Sequence, residues 1–207
     1  MKRLLLILAL ALTALAATSV SGAAGASTLH FSFKGQFAEA GFDSLDPSGC
    51  VDTFVYVEGV NGTVKETGQP AASSLAVVVI DQFDFCTSTE TLFAVGETTL
   101  AAGEFQIDKI LTTATLNTTI EVFDEVSGTS FPVDISVSWT GVGATTTQKD
   151  HFQIHGPDFK VNSRFMGTFR DATASGTVSD GTTNFTPESA VFADMGSVKQ
   201  GEVDIIH

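Results

Sequence analysis

The chain has little of several residue types on which common kinds of site depend. Cysteine occurs twice, tryptophan once and tyrosine once, against 17 phenylalanines. The sequence contains no C-x-x-C, no H-E-x-x-H and no G-x-S-x-G. A thiolate zinc site, a zinc-protease helix and a hydrolase nucleophile turn are therefore not indicated. We predict no catalytic residue, no metal site and no cofactor from the sequence.

Basic residues are also scarce. There are 10 lysines and arginines against 24 aspartates and glutamates, for a formal net charge of −14. A negative field of this size repels phosphate backbones and anionic lipid headgroups, so nucleic-acid binding is not expected. The acidic residues are scattered along the chain. This pattern is typical of solubility outside the cell or of a salty medium, with cation capture as the alternative.

A largely apolar run that could mark a targeting segment lies at the amino terminus, from Leu4 to Ala17. Lys2 and Arg3 precede it, and Ala24-Gly25-Ala26 follows it. This order predicts a signal peptide over residues 1–26, cleaved before Ser27. The run is shorter than the roughly 20 residues that a membrane-spanning helix needs, so no transmembrane anchor is predicted. The expected location is secreted, periplasmic or at the cell surface.

The two cysteines, Cys50 and Cys86, are predicted to form a disulfide, because exported chains reach compartments where such bridges persist. A run of β-forming residues follows Cys50 from Val51, and another extends from Leu75 to Phe85. Folding these runs into an antiparallel hairpin about a midpoint near Gly68 places the cysteines opposite each other. The bridge would then close the open end of the hairpin.

Alternation of apolar and polar residues dominates the rest of the chain, and no long window has helical spacing. The clearest example runs from Phe131 to Trp139, where one face is apolar and the other is polar or proline. Turn formers separate the alternating runs. The pattern predicts an all-β fold over residues 27–207, a single-domain antiparallel β-sandwich or closed β-barrel of about nine to eleven strands.

Three local expectations concern the second half of the chain. Gly141-Val142-Gly143 is predicted to be a turn, with residues 145–154 as the strand returning from it. Residues 189–195 and 197–205 are predicted to form a final hairpin. Thr186-Pro187-Glu188 could instead begin a short helix, because threonine and proline suit its first positions.

A small polar cluster is the main candidate for a site. His151 and His155 have the same parity and would point to one face of a strand, about 13 Å apart if the chain is extended. A bend before Gly156 could bring them together with Asp150 and Asp158. Surface histidines with no shared ligand are the alternative interpretation.

Acid pairs are a second candidate, since two carboxylates across a cleft can do acid–base work. Asp43 with Asp46 and Asp81 with Asp84 have suitable spacing in the sequence. Solvated acids at turns and strand ends are the alternative. The segment from Asp43 to Gly49 is expected to form an Asp-Pro turn, because it lacks the spacing of a calcium loop.

These observations leave three functional classes open. The first, which we favour, is a secreted non-catalytic β domain that binds an unknown ligand or envelope partner. The second is a small-barrel enzyme or ligand carrier with an internal pocket, which a packed apolar interior would argue against. The third is an outer-membrane β-barrel. The oligomeric state is not predicted.

Overall fold

A computed structural model of the chain describes residues 28–66, 69–156 and 160–206. The predicted signal peptide, residues 1–26, lies outside these ranges. The described residues form ten β-strands and no helix. The strands are β1 (Thr28–Leu45), β2 (Val51–Glu66), β3 (Gln69–Asp84), β4 (Thr89–Thr99), β5 (Phe105–Ile107), β6 (Thr113–Asp124), β7 (Thr129–Gly141), β8 (Thr146–His155), β9 (Lys160–Ser179) and β10 (Phe192–Ile206).

The strands belong to one antiparallel sheet that closes on itself. Following the hydrogen bonds, the order is β1, β2, β3, β4, β6, β7, β9 and β10, and β10 pairs again with β1. Strand β5 pairs with β6, and β8 pairs with β9, outside this ring. The predicted all-β antiparallel fold is confirmed, and the closure is consistent with a sandwich or a closed barrel.

The interior of the ring is filled by the apolar face of each alternating strand. Trp139 on β7 is 1% exposed, and its Nε1 donates to the main-chain oxygen of Glu39 on β1, 2.9 Å away. Phe105 on β5 lies against Gly59, where an added Cβ would come within 2.6 Å of the ring. Other buried side chains in this cluster are Phe42, Val55, Val57, Val78, Ile80, Leu116, Ile120, Val133, Val137 and Met195.

A second, smaller cluster lies on the outward face of the sheet. It contains Phe37, Val60, Phe169 and Val198, all of which are buried. The rings of Phe37 and Phe169 meet edge to face with centroids 6.0 Å apart. Phenylalanine in this chain therefore fills two cores, and not only the interior that sequence alternation indicates.

Several strands extend beyond the closed part of the ring. Strand β4 pairs with β3 only from Leu75 onward, and β7 pairs with β9 only from Ala172 onward. Beyond these points the described sheet consists of β3, β2, β1, β10, β9 and β8. Its edges are β8 and the part of β3 that precedes Leu75. This end of the sheet is therefore open.

The predicted strand over residues 145–154 is confirmed as β8, but it does not return along β7. Strand β8 pairs with the first half of β9, and β7 pairs with the second half. The 20-residue length of β9 allows it to serve both strands in turn. The turn at Gly141–Gly143 consequently leads from the ring to the open end of the sheet.

The expected final hairpin is also wrong, because residues 192–206 form one strand. A register shift between Val198 and Gln200 inserts one extra residue opposite β9. The small residue Gly196, which interrupts the apolar pattern, lies under the ring of Phe37. A β-bulge and a covered glycine thus replace the predicted turn. Residues 186–191 form neither a helix nor a strand.

The predicted Cys50–Cys86 disulfide is confirmed, with the two Cα atoms 5.3 Å apart. Strands β2 and β3 pair from Val51 with Asp84 inward, and the Phe85 amide donates to the Cys50 carbonyl at 2.8 Å. Gly68, the predicted midpoint, lies outside the described residues. A disulfide of this kind is typical of an oxidising, extracellular or periplasmic environment.

Candidate functional site

The polar cluster suggested by the sequence lies on β8, at the open end of the sheet. His151 and His155 share one face of this strand, as their parity predicts, opposite Arg164 and Lys160 of β9. Asp150 pairs with Phe165 and lies on the other face. Asp158 lies outside the described residues. The two histidines thus belong to a broader surface shared with β9, whereas Asp150 does not.

This broader surface continues the inward face of the ring. One cross-strand row runs through Lys65 on β2, Ser32 on β1, Glu202 on β10, Arg164 on β9 and His151 on β8. Directly paired residues share a face of a sheet, so these five side chains lie on one side. The sheet closes toward this side further along, and we call this surface the trough.

The trough collects most of the positive charge of the described chain. Five of the eight lysines and arginines that follow the predicted signal peptide lie on it, together with three histidines and only two acids. The basic side chains are largely exposed. The charged and histidine residues of the trough are His30, Lys34, Lys65, Lys149, His151, His155, Lys160, Arg164, Glu202 and Asp204.

Hydrogen bonds within the trough confirm that its side chains face one another. His30 Nδ1 lies 2.5 Å from Asp204 Oδ1. Asn162 Oδ1 lies 2.9 Å from His151 Nε2 and 3.4 Å from Gln153 Nε2. Asp204 on β10 is therefore paired with a histidine of the same chain. The lysines of the trough have no such contact among the described hydrogen bonds and ion pairs.

A loop over residues 108–112 separates the trough from the packed interior. The Asp108 carboxylate accepts hydrogen bonds from the amides of Ile110, Thr112 and Thr113, and these bonds hold its pKa well below the usual range although burial opposes them. Two trough-side residues bond the main chain of this loop: Gln36 Nε2 donates to the Asp108 oxygen and Arg170 Nη1 to the Leu111 oxygen. These hydrogen bonds join the loop at the floor of the trough to β1 and β9.

Arg170 adds a cation at this floor. It lies on the inward face of β9, beside Gly141 of β7, where an added Cβ would come within 2.8 Å of the guanidinium stem. Its Nε is buried and has no hydrogen-bond partner among the described residues. The positive charge of the trough thus extends inward to the point where apolar packing begins.

The outward face carries an opposite feature, a row of carboxylates. Glu39 on β1 pairs directly with Glu58 on β2 and with Asp194 on β10, and Asp194 pairs with Asp171 on β9. We call these four residues the carboxylate row. Like charges directly opposite each other in a ladder are destabilising, so the row needs relief by protonation or by hydrogen bonds.

Tyr56 and a shifted carboxyl supply part of that relief. The Tyr56 hydroxyl donates to Glu39 Oε2 at 2.8 Å and lies 3.3 Å from Glu58 Oε2. Glu58 is 5% exposed. Burial, followed by repulsion from Glu39, raises the pKa of Glu58 to about 8. Glu58 is therefore protonated at neutral pH, which removes one negative charge from the row.

We expect Glu58→Gln to change how stability depends on pH. The pKa of Glu58 is about 8 in the folded chain against an ordinary value of 4.5, so folding takes up a proton between these values. The native protein should then lose stability as pH rises from about 4.5 to about 8. Glutamine cannot ionise, so above pH 8 the variant should be more stable than the native chain, by roughly 3–5 kcal/mol depending on how well the amide replaces the hydrogen bonds of the carboxyl. Urea titrations across this range measure the difference.

Glu97→Gln is the matched control for that experiment. Glu97 lies on β4 in the same cross-strand row, beyond Val77, and is exposed. Its substitution should leave the pH dependence of unfolding unchanged. Equal pH profiles for native protein and Glu58→Gln would show that the Glu58 carboxyl is ionised in the folded chain.

The acid pairs suggested by the sequence do not meet. The Asp46 carboxylate accepts bonds from the amides of Cys50 and Val51 and from Ser48, confirming a turn there, and these bonds lower the pKa of Asp46 to about 2. Asp84 likewise bonds its own turn. Asp43 lies instead beside Asp52, whose pKa is raised by burial and by this neighbour.

Metal-ligating side chains converge at only one point in the part of the chain that the structure describes. Cys50, Asp84 and Cys86 place their ligand atoms within 4.8 Å of one another. Both sulfurs are consumed in the disulfide, so thiolate ligands are not available there. Among the described ranges, no helix is long and apolar enough to cross a membrane.

Sequence reasoning found part of the trough and missed most of it. The two histidines of β8 have matching parity, which the sequence displays. Lys34, Lys65 and Arg164 lie far apart in the chain, and only the register of β1, β2, β9 and β10 brings them to one face. The available signal was that all three lie on the polar side of an alternating strand.

Comparisons with known proteins add no relative on which to draw. No protein-family model, curated protein or solved structure matches this chain.

Proposed function

We propose that this protein is an exported, non-catalytic β domain that binds a partner through its surface outside the cytoplasm. The observation that carries the proposal is the packed interior of the ring, where Trp139, Phe42 and Phe105 join the aliphatic side chains. An enzyme or carrier of small-barrel type needs a cavity with converging polar groups. The side chains that fill the described interior are almost all apolar, whereas most polar groups discussed above lie in the trough and in the carboxylate row.

Export is supported by the disulfide and by the amino-terminal sequence. The Cys50–Cys86 bridge is typical of oxidising compartments. Removal of residues 1–26 would take Lys2 and Arg3 with it, and the formal net charge would change from −14 to −16. An acidic, disulfide-bonded β domain suits a soluble binding role at the cell surface or in the medium.

Two measurements on protein recovered from its own culture test this proposal. Native mass spectrometry should give a mass that begins at Ser27, 2 Da below the reduced chain, with no bound small molecule. Labelled mature protein should then bind saturably to washed producing cells or to their extracellular material. A retained small molecule at one-to-one stoichiometry would favour the carrier alternative, and a mass that includes residues 1–26 would contradict export.

A further inference from the structure

We propose that the trough binds a linear acidic polysaccharide, a chain carrying sulfate or carboxylate groups at regular intervals. The inference rests on the proposed function, because it names the class of partner for the binding surface. It depends on three properties of the trough: its charge, the spacing of its cations and the polar side chains between them.

The charge of the trough is opposite to that of the molecule. The chain carries −14 overall, but the trough has five basic residues against Glu202 and Asp204. Asp204 is paired with His30. A positive surface on a strongly negative protein attracts anions locally, while the remaining surface repels them and so orients their approach. The basic residues of the trough repel one another in the free protein, and an anionic partner would remove this repulsion.

The cations fall into two groups across the sheet. Lys34 and Lys65 lie on neighbouring strands β1 and β2, at diagonal positions. Lys149, Lys160 and Arg164 lie on β8 and β9. Three strand spacings separate β2 from β9, which corresponds to roughly 14 Å. One small anion cannot reach both groups, whereas a chain with repeated charges can contact them together.

The uncharged side chains of the trough favour a sugar chain as the partner. Exposed polar side chains lie between the cations, including Thr63, which pairs with Lys34, and Gln153. They can bond sugar hydroxyls.

The test uses the mature full-length chain with heparin as the probe and neutral dextran as the polymer control. At low ionic strength heparin should bind and dextran should not, and added salt should weaken heparin binding because it screens exposed charges. The double variant Lys34→Glu/Lys65→Glu should lose about tenfold or more in affinity, since each Lys–anion contact near a charged surface contributes about 1 kcal/mol. Lys34 and Lys65 are exposed, so the variant should keep the melting temperature of the native chain.

The matched control is Asn117→Asp/Ser138→Asp, because both residues are exposed on β6 and β7, outside the trough. It changes the net charge by the same amount as Lys34→Gln/Lys65→Gln, and its affinity for heparin should stay within about twofold of the native value. Equal losses in these two variants would show that binding follows net charge, and would overturn the assignment to the trough. Lys34→Gln/Lys65→Gln also provides the comparison should Lys34→Glu/Lys65→Glu lose folding.

Vesicles containing phosphatidylglycerol test whether the trough binds anionic lipid headgroups instead of a polysaccharide. Binding to these vesicles that is lost in Lys34→Glu/Lys65→Glu, without heparin binding, would assign the trough to lipid headgroups and overturn the polysaccharide proposal. Saturable binding to producing cells that the double variant leaves unchanged would preserve the proposed function and refute the trough as its site. The two proposals therefore fail by different observations.

Discussion

Replacing both cysteines, as Cys50→Ser/Cys86→Ser, is expected to lower the free energy of unfolding by about 4 kcal/mol. The bridge joins residues 36 positions apart at the open end of the β2–β3 hairpin. The bridge restricts the unfolded chain. In the folded state it lies next to the paired residues Val51 and Asp84. The loss should appear as a lower urea midpoint, with a steeper slope because the unfolded chain without the bridge exposes more surface.

The control for this prediction is the native chain under reducing conditions. Reduction should destabilise the native chain by about as much as the double substitution, and it should leave the double variant unchanged. A loss below about 1 kcal/mol in both cases would mean that pairing of β2 with β3 already restricts the unfolded ensemble. The double variant is preferred to a single one, because a single substitution leaves a thiol that can pair between molecules.

Trp139→Ala is expected to destabilise the fold by about 3–5 kcal/mol. Trp139 is the only tryptophan of the chain, is 1% exposed, and bridges β7 to β1 through its bond to the Glu39 oxygen. Its removal leaves a cavity in the interior and takes away the Nε1 donor to the Glu39 oxygen. Because the substitution removes the fluorophore, unfolding should be followed by far-ultraviolet circular dichroism.

Two further variants separate the contributions to that loss. Trp139→Phe keeps an aromatic ring but removes the Nε1 donor, so it should cost less than Trp139→Ala. Phe123→Ala removes an aromatic ring that is 51% exposed on β6, and should cost under about 1 kcal/mol. If Trp139→Ala were as mild as Phe123→Ala, the interior would be loose enough to admit a ligand, and the carrier alternative would gain support.

The strands themselves were predictable because alternation is a local property. Strand β7 shows this most clearly: Val133, Ile135 and Val137 are buried while Asp134 is exposed, as the sequence pattern indicates. Pro132 has no amide hydrogen to donate to a neighbouring strand. Strand β9 pairs with β7 only from Asp134 onward, so Pro132 lies where one side of β7 has no paired strand. The disulfide was predictable for a related reason, since antiparallel pairing of two adjacent runs determines which residues meet.

Strand partners were less predictable than strands. The expected hairpins at Gly141–Gly143 and at Gly196–Ser197 depended on turn-forming residues alone. In the fold, the first leads to a strand that pairs with β9, and the second lies within β10. A glycine can mark a turn or a place where a neighbouring ring covers the backbone, and Gly196 under Phe37 is the second case. Which case applies depends on a side chain from another strand.

The sequence by itself determined the all-β class, the faces of most strands, the cysteine pair and the acidic balance, because each depends on composition or on neighbours along the chain. Only the tertiary structure decided that the sheet closes through β9 and β10, and that Glu39 meets Glu58. It also decided that five basic residues share the trough. The physical reason is register: the position of one strand against the next is set by packing over the whole sheet, and it decides which distant charges become neighbours.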